Sequence, residues 1–262
     1  MREDDWFVKR FLLSRNRNVN AALNALCASL EWRKAENFRN LPDNYFPEEF
    51  YRAGGFFSYE PDLKGRSTLY IRVRFLLKCG LMNKYIKTFC EKVFYDADQE
   101  ISEKGLTIVI DFDGAGLQNC EIDIAYHALH VLKTYFPGGL NLILMVDMPR
   151  VLRFGYALIK PLIPGRNREL MVFTNRKDIF NYIARENLPS FLGGTCSRPY
   201  NGYEVVPPGA PRCIEFGINV AKLDYNTCKD IYEMYKNALK DELELDSIEQ
   251  LENIAPQVVK SQ

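Results

Sequence analysis

Between residues 140 and 163 an apolar strand runs into a short helix that is apolar nearly all the way round, and few folds accommodate both. Residues 140–146, LNLILMV, form an unbroken apolar run of strand length, which suits a strand covered on both faces. Asp147-Met148-Pro149 ends it. Between Val151 and Ile163 only Arg153 and Lys160 carry charge. Leu152, Phe154, Tyr156, Leu158, Ile159 and Leu162 therefore cannot all face a single protein core, and a helix of this kind has two apolar clients. It is far shorter than the ~20 residues that cross a bilayer. The pattern fits an internal apolar ligand on one side and a membrane surface or partner on the other; a plain core helix of a large domain fits it too.

The rest of the chain reads as alternating helices and strands. Residues 4–16 and 19–38 have helical spacing, with Asn18 as N-cap of the second. A shorter helix falls between Leu41 and Gly54. Leu69, Ile71, Val73 and Phe75 then alternate with Tyr70, Arg72 and Arg74, as in a half-buried strand. Residues 81–100 are helical, 107–112 form a buried strand, and Ile122, Ala125, Leu129, Leu132 and Phe136 stripe a helix that leads to strand 140–146. A strand, a crossover helix and a strand imply a parallel pair. Residues 170–174 read as a strand, 175–186 as a helix and 224–252 as a polar helical extension beyond Pro207-Pro208.

Composition narrows the function. With 262 residues, 47% hydrophobic, the chain can bury a full core. Lys plus Arg and Asp plus Glu both number 34, so nucleic-acid binding gains no support. The distribution is uneven: Arg150, Arg153, Lys160, Arg166, Arg168, Arg176 and Lys177 face Glu169 alone across 150–177, while Asp241, Glu242, Glu244, Asp246, Glu249 and Glu252 make the tail acidic. Basic residues beside an apolar surface attract anionic lipid, by about 1 kcal/mol each near such a membrane, although a solvated face accounts for the same charges. The 7 cysteines are scattered without a CxxC pair, which reads as reduced thiols in a cytoplasmic protein. Neither a signal peptide nor a membrane-spanning segment is evident.

Two sets of residues carry possible chemistry. Ile108-Val109-Ile110-Asp111-Phe112-Asp113-Gly114 resembles the first motif of haloacid-dehalogenase-type phosphohydrolases, in which the first aspartate attacks phosphorus and the second is the acid/base. The downstream acidic pair such enzymes need for magnesium is missing, and a buried strand ending in a turn explains the same residues. His127 and His130 stand three apart on a helix without a converging Cys or carboxylate, a poor metal site. No metal and no cofactor is expected.

Tyr135-Phe136-Pro137, the strand, Met148-Pro149, the apolar helix ending Lys160-Pro161-Leu162, and Glu186-Asn187-Leu188-Pro189 through Gly193-Gly194 resemble the signature of CRAL-TRIO (Sec14-like) lipid-binding domains. Asp62 with Gly65-Arg66 resembles that family's D-x-x-G-R hairpin, and Arg10-Phe11-Leu12-Leu13-Ser14-Arg15 with Trp32-Arg33 its N-terminal helical pair. Glu3-Asp4-Asp5-Trp6, Val146-Asp147-Met148-Pro149 and Leu188-Pro189 with Leu192-Gly193-Gly194-Thr195 resemble more narrowly the CRAL-TRIO domain of motile-sperm-domain-containing (VAP-like) membrane contact-site proteins.

The resemblance implies an α/β fold, a mostly parallel sheet with a hydrophobic lipid pocket covered by a gate helix, and a helical N-terminal lobe. It divides the chain into a lobe at 1–58, a lipid-binding core at 59–206 and a C-terminal extension at 207–262. Leu69, Ile71, Leu106, Ile108, Ile110, Ile143 and Met145 would face the pocket, with Leu152, Tyr156 and Ile159 on the lid. A one-residue slip of strand parity would exchange the faces. Arg150, Arg153, Phe154, Leu158, Arg166 and Arg168 are the membrane-docking candidates. The phosphatidylinositol headgroup site of Sec14-type relatives, a Glu in P-E-R and a Lys in L-P-x-K-x-G-G, is replaced by Gly138 and Phe191. The expected function is non-catalytic carriage, sensing or tethering with one hydrophobic ligand. A phosphohydrolase using Asp111 and Asp113, or a protein-interaction module with a vestigial pocket, is the alternative. The narrower resemblance adds protein partners bound through segments outside this chain and a place on the cytosolic face of the endoplasmic reticulum membrane.

Overall fold

The computed structural model describes residues 5–162, 168–240 and 243–254. In chain order the elements are α1 (Asp5–Ser14), α2 (Val19–Glu36), α3 (Glu48–Arg52), β1 (Phe56–Tyr59), β2 (Ser67–Arg72), α4 (Asn83–Glu100), β3 (Leu106–Asp111), α5 (Ile122–Tyr135), β4 (Leu140–Val146), α6 (Arg153–Ile159), β5 (Met171–Thr174), α7 (Cys213–Asn219), α8 (Tyr225–Leu239) and α9 (Ile248–Ile254). Two compact units result, one of residues 1–40 with 55–198 and one of 41–54 with 199–262. The sequence division at 58 and 206 follows motifs; compactness instead groups 41–54 with the C-terminal chain.

The first unit is an α/β layer built on one sheet in the order β1-β2-β3-β4-β5. β1 is antiparallel to β2, and the remaining pairs are parallel. α4 and α5 link successive parallel strands, and α6 lies between β4 and β5. Register sets Leu69, Ile108, Ile143 and Met171 in one row and Ile71, Ile110, Met145 and Phe173 in the next. A register shift between Leu106 and Thr107 pairs Leu106 with Leu140 and Thr107 with Leu142, skipping Asn141. This bulge returns Leu140 to the side of Ile143.

Three expected elements take another form, one of them the single helix read over 224–252, which is two helices, α8 and α9, with residues 243–247 non-helical between them. The strand read as far as Phe75 ends at Arg72 and continues as a 3-10 turn, Val73–Phe75. The helix expected at 175–186 is a pair of 3-10 turns, Ile179–Asn181 and Arg185–Asn187. There Asn175 Oδ1 accepts from the N–H groups of Lys177 and Asp178, local bonds that compete with helix formation.

A buried carboxylate joins the N-terminal helices to the layer. Both Asp98 oxygens accept from Arg10, and Arg33 Nη2 adds a bond at 2.9 Å. Arg33 Nη2 also reaches the Tyr135 carbonyl at 3.3 Å, to which Ser29 Oγ donates at 2.7 Å. Trp32 stacks on Tyr135 with 4.4 Å between ring centroids and 4° between planes. The α1, α2, α4 and α5 segments thus meet at one carboxylate paired with two arginines and at one aromatic stack. In the β1–β2 hairpin, Asp62 accepts from Lys64 N, Arg66 N, Arg66 Nε and Thr107 Oγ1. Burial raises this carboxyl's pKa, but the bonds from Thr107 and Arg66 outweigh it and hold it below the ordinary range.

The second unit has its own apolar cluster, Ile214, Cys228, Tyr232, Leu245, Ile248 and Leu251. In it Glu48 pairs with both Arg52 and Arg212, and Arg212 with Asp246. Asp224 caps α8 by accepting from Thr227 N.

Asp98→Ala leaves two buried guanidinium groups without their anion. Breaking a buried pair by removing one partner costs about 3–5 kcal/mol, and chemical denaturation is expected to register a loss of that size.

Candidate functional site

A cavity of about 300 Å³ lies against one face of the sheet, at the lower end of the roughly 300–1,000 Å³ found for ligand pockets. Its floor is Ile71, Ile108, Ile110, Ile143, Met145 and Met171. One wall is α5, through residues that include Ala125, Ala128, Leu129 and Leu132; the other is Leu152, Gly155 and Tyr156 at α6. Several of these apolar side chains, among them Ile110, Leu129, Leu132, Tyr156 and Met171, are only half-buried, because they border open space.

Of the ten pocket candidates, Ile71, Ile108, Ile110, Ile143, Met145, Leu152 and Tyr156 line this cavity. Leu69 and Leu106 share the face but are buried, at 0% and 3% exposure, toward the starts of their strands, and they do not reach the cavity. The Ile159 side chain lies outside the described residues. Val109 and Leu144 point to the opposite face, where neighbouring Tyr70 stacks on Phe57 at 5.1 Å and meets Phe191 edge-on. The largest contribution absent from the candidate list is α5. Its stripe Ile122, Ala125, Leu129 and Leu132 was visible in the sequence, but periodicity does not distinguish a side chain facing packed core from one facing a cavity.

At α6 the approach to the layer is close. A Cβ at Gly155 would stand 2.7 Å from Cys120 Sγ, so glycine permits this contact. The outward side of α6 is apolar: Phe154 is 71% exposed and Val151, just before the helix, 45%. Arg150, Arg153, Lys160 and Arg168 are exposed as well. Of the remaining docking candidates, Arg166 and the Leu158 side chain lie outside the described residues.

At the carboxyl ends of the strands, Arg176 Nη2 contacts Asp113 at 2.9 Å and Asp111 at 3.7 Å, and its Nε is 3.5 Å from Asp147. Asp111 also faces Arg72 Nε at 3.8 Å. Arg72 in turn lies between rings, 4.1 Å from the Phe191 centroid and 4.6 Å from that of Phe75. The position where Sec14-type relatives are expected to carry a headgroup lysine therefore holds an aromatic cover over an arginine. At the companion position, Gly138 has φ +76° and packs so that a Cβ would lie 2.7 Å from the Arg10 carbonyl oxygen. A glutamate there is opposed by both conformation and space.

Among the described residues no group of three or more His, Cys, Asp or Glu is arranged to hold a metal, and no helix is long and apolar enough to cross a membrane. His127 Nε2 instead pairs with Glu91 at 2.8 Å. The seven cysteines are free thiols.

Burial pushes the Asp111 carboxyl up to about 6, against the lowering effects of the Asp113 N–H, Arg72 and Arg176. Its folded pKa exceeds its unfolded one, so the stability it contributes is complete below pH ~4 and lost as pH rises through about 6. Urea midpoints of wild type and Asp111→Asn from pH 4 to 7.5 are expected to shift against the wild type, by roughly 2–3 kcal/mol over that window. Parallel profiles would show that Asp111 stays ionised throughout.

A solved structure of Sfh5 is similar to this chain with a TM-score of 0.58 at 16% identity, covering 87% of this chain and 81% of that one. Tyrosine-protein phosphatase non-receptor type 9 of mouse, human and rat is 30% identical over 109 residues, 40% of this chain. The match spans only 18% of those phosphatases. The family model for the CRAL/TRIO domain matches residues 51–194, which include the whole sheet, α4, α5, α6 and the Leu188–Gly194 turn: the chain belongs to the CRAL/TRIO domain family.

Proposed function

We propose that this chain binds one hydrophobic ligand, a lipid, in the cavity between the sheet, α5 and α6, and carries, senses or presents it without chemical change. The observation that carries this reading is an apolar cavity of about 300 Å³ in which a floor of β-branched and methionine side chains meets two helical walls. Burying acyl chains there is favourable by about 0.8 kcal/mol per methylene, and no reactive group is needed. The phosphohydrolase alternative is disfavoured because arginines surround Asp111 and Asp113, where a phosphatase would need a divalent cation. An open cavity also favours ligand binding over a vestigial pocket in a protein-interaction module.

The exposed side of α6 docks on a membrane in this proposal. Phe154 and Val151 enter the interface while Arg150, Arg153 and Arg168 sit among headgroups, the arrangement by which short amphipathic segments lie in a bilayer surface. The segment holding Leu158 and Arg166 would belong to the same surface. In this proposal, which the narrower resemblance to motile-sperm-domain-containing proteins supports, the activity belongs to cytoplasmic surfaces at organelle contacts, at the endoplasmic reticulum or a lipid droplet, with protein partners engaged by segments outside this chain.

Mass spectrometry of an organic extract of the purified protein is expected to find a lipid in near-stoichiometric amount. Ala128→Phe, which fills the cavity from α5, should abolish that occupancy while leaving the thermal midpoint within a few degrees. A protein that carries no lipid and takes none up from vesicles would overturn the proposal.

Two further outcomes follow from particular residues. Phe154→Asp with Val151→Asp should weaken co-sedimentation with anionic vesicles without unfolding the chain; equal sedimentation of wild type and double variant at all salt concentrations would exclude the α6 surface. Phosphatidylinositol should not be transferred between liposomes in preference to other lipids, because Gly138 and Phe191 supply no polar partners and an unpaired polar headgroup is costly to bury.

A further inference from the structure

Residues that both line the cavity and remain exposed fall on one stripe of α5: Ile122, Tyr126, His130 and Lys133. Steps of four, four and three residues keep them on one side of a helix. The cavity opens along this stripe, whose eleven rises span about 16 Å.

The stripe is polarised. Its first half is apolar, with Ile122 37% and Tyr126 51% exposed. The charges beside that half already have partners: Glu121 accepts from Asn83 Nδ2 at 3.4 Å, and Asp123 pairs with Lys87 at 2.6 Å. The second half is cationic or polar. His130 meets the Tyr135 ring edge-on at 6.1 Å, and no acidic side chain among the described residues pairs with Lys133. The slot therefore offers apolar contact along its first half and an uncommitted ammonium group at the far end.

Building on the lipid-binding reading above, we infer that Lys133, with His130 beside it, selects the ligand's headgroup. The ligand is then an amphiphile whose chain lies in the cavity and whose exposed head is anionic, a carboxylate or a phosphate monoester. Lys133 also stands in the last turn of α5, where a cation favours the helix itself. A role confined to the helix would change stability and not ligand choice.

The test is fluorescence titration of the whole chain with dansyl-labelled undecanoic acid and with its methyl ester. Dodecyl phosphate and dodecanoic acid as competitors distinguish the two anionic sources. Wild type should bind the acid more tightly than the ester. Lys133→Gln should weaken the acid about fivefold, as expected for an exposed ion pair, and change the ester by less than about twofold; Lys133→Arg should restore the preference. Equal binding of acid and ester by wild type, or an equal loss of both in Lys133→Gln, overturns the headgroup assignment while the lipid-binding reading stands. Failure of every probe to bind overturns both.

Discussion

Strand parity is the constraint on which the rest of this molecule depends. Along β3 and β4 alternate side chains go to opposite faces. Tyr70, Val109 and Leu144 enter a fully buried layer, whereas Ile71, Ile110 and Met145 form the floor of a hollow. Both faces need apolar residues, so the strands read as continuous hydrophobic runs. A slip of one residue would push the wall of one layer into the space of the other. Among the described residues the bulge at Asn141 is the one place where the count is adjusted, and it restores Leu140 to the cavity side.

A hollow layer needs a frame that does not collapse into it. Packed interiors leave few voids, and an empty apolar cavity forfeits dispersion contacts along its lining. The frame is supplied by buried ionic and aromatic junctions away from the cavity: Asp98 between Arg10 and Arg33, Asp62 with Arg66 and Thr107, and Trp32 on Tyr135. Such pairs add little net stability over well-packed apolar residues, but losing one partner is expensive. Their directionality fixes α4 and the end of α5 in place. α6, by contrast, is a seven-residue helix, placed against the layer through Leu152, Gly155 and Tyr156. The α5 and α6 walls of the cavity thus differ in the kind of interaction that holds them.

Much of this was legible in the sequence because the strongest signals are local. The run at 140–146, the stop at Asp147-Met148-Pro149 and the all-round apolar helix each follow from composition over a few residues. The family motifs Asp62-x-x-Gly65-Arg66, Arg10 and Trp32-Arg33 turn out to be the junction residues. What escaped was non-local. That Asp98 would receive both arginines depends on α1, α2 and α4 converging, and nothing in its neighbours Ala97 and Gln99 signals it. Leu69 and Leu106 satisfied the parity rule yet miss the cavity, since parity selects a face and not a position along it. The helix expected at 175–186 gave way to 3-10 turns because Asn175 satisfies nearby N–H groups with its own side chain.

The chemistry of the hollow also separates affinity from selectivity. Its floor can reward any apolar chain in proportion to the surface buried, which discriminates weakly: one methylene more or less changes little. Discrimination has to come from polar groups that are left unpaired by the wrong ligand. In this chain those groups are not at the carboxyl ends of the strands. Arg72 is covered there by Phe75 and Phe191, and Arg176 is engaged by Asp111, Asp113 and Asp147. In the reading proposed above they are along the open edge of α5, where side chains that line the cavity also meet solvent. A pocket whose recognition groups sit at its lip reads the part of a ligand that stays outside, and leaves the buried chain to be chosen by length and fit alone.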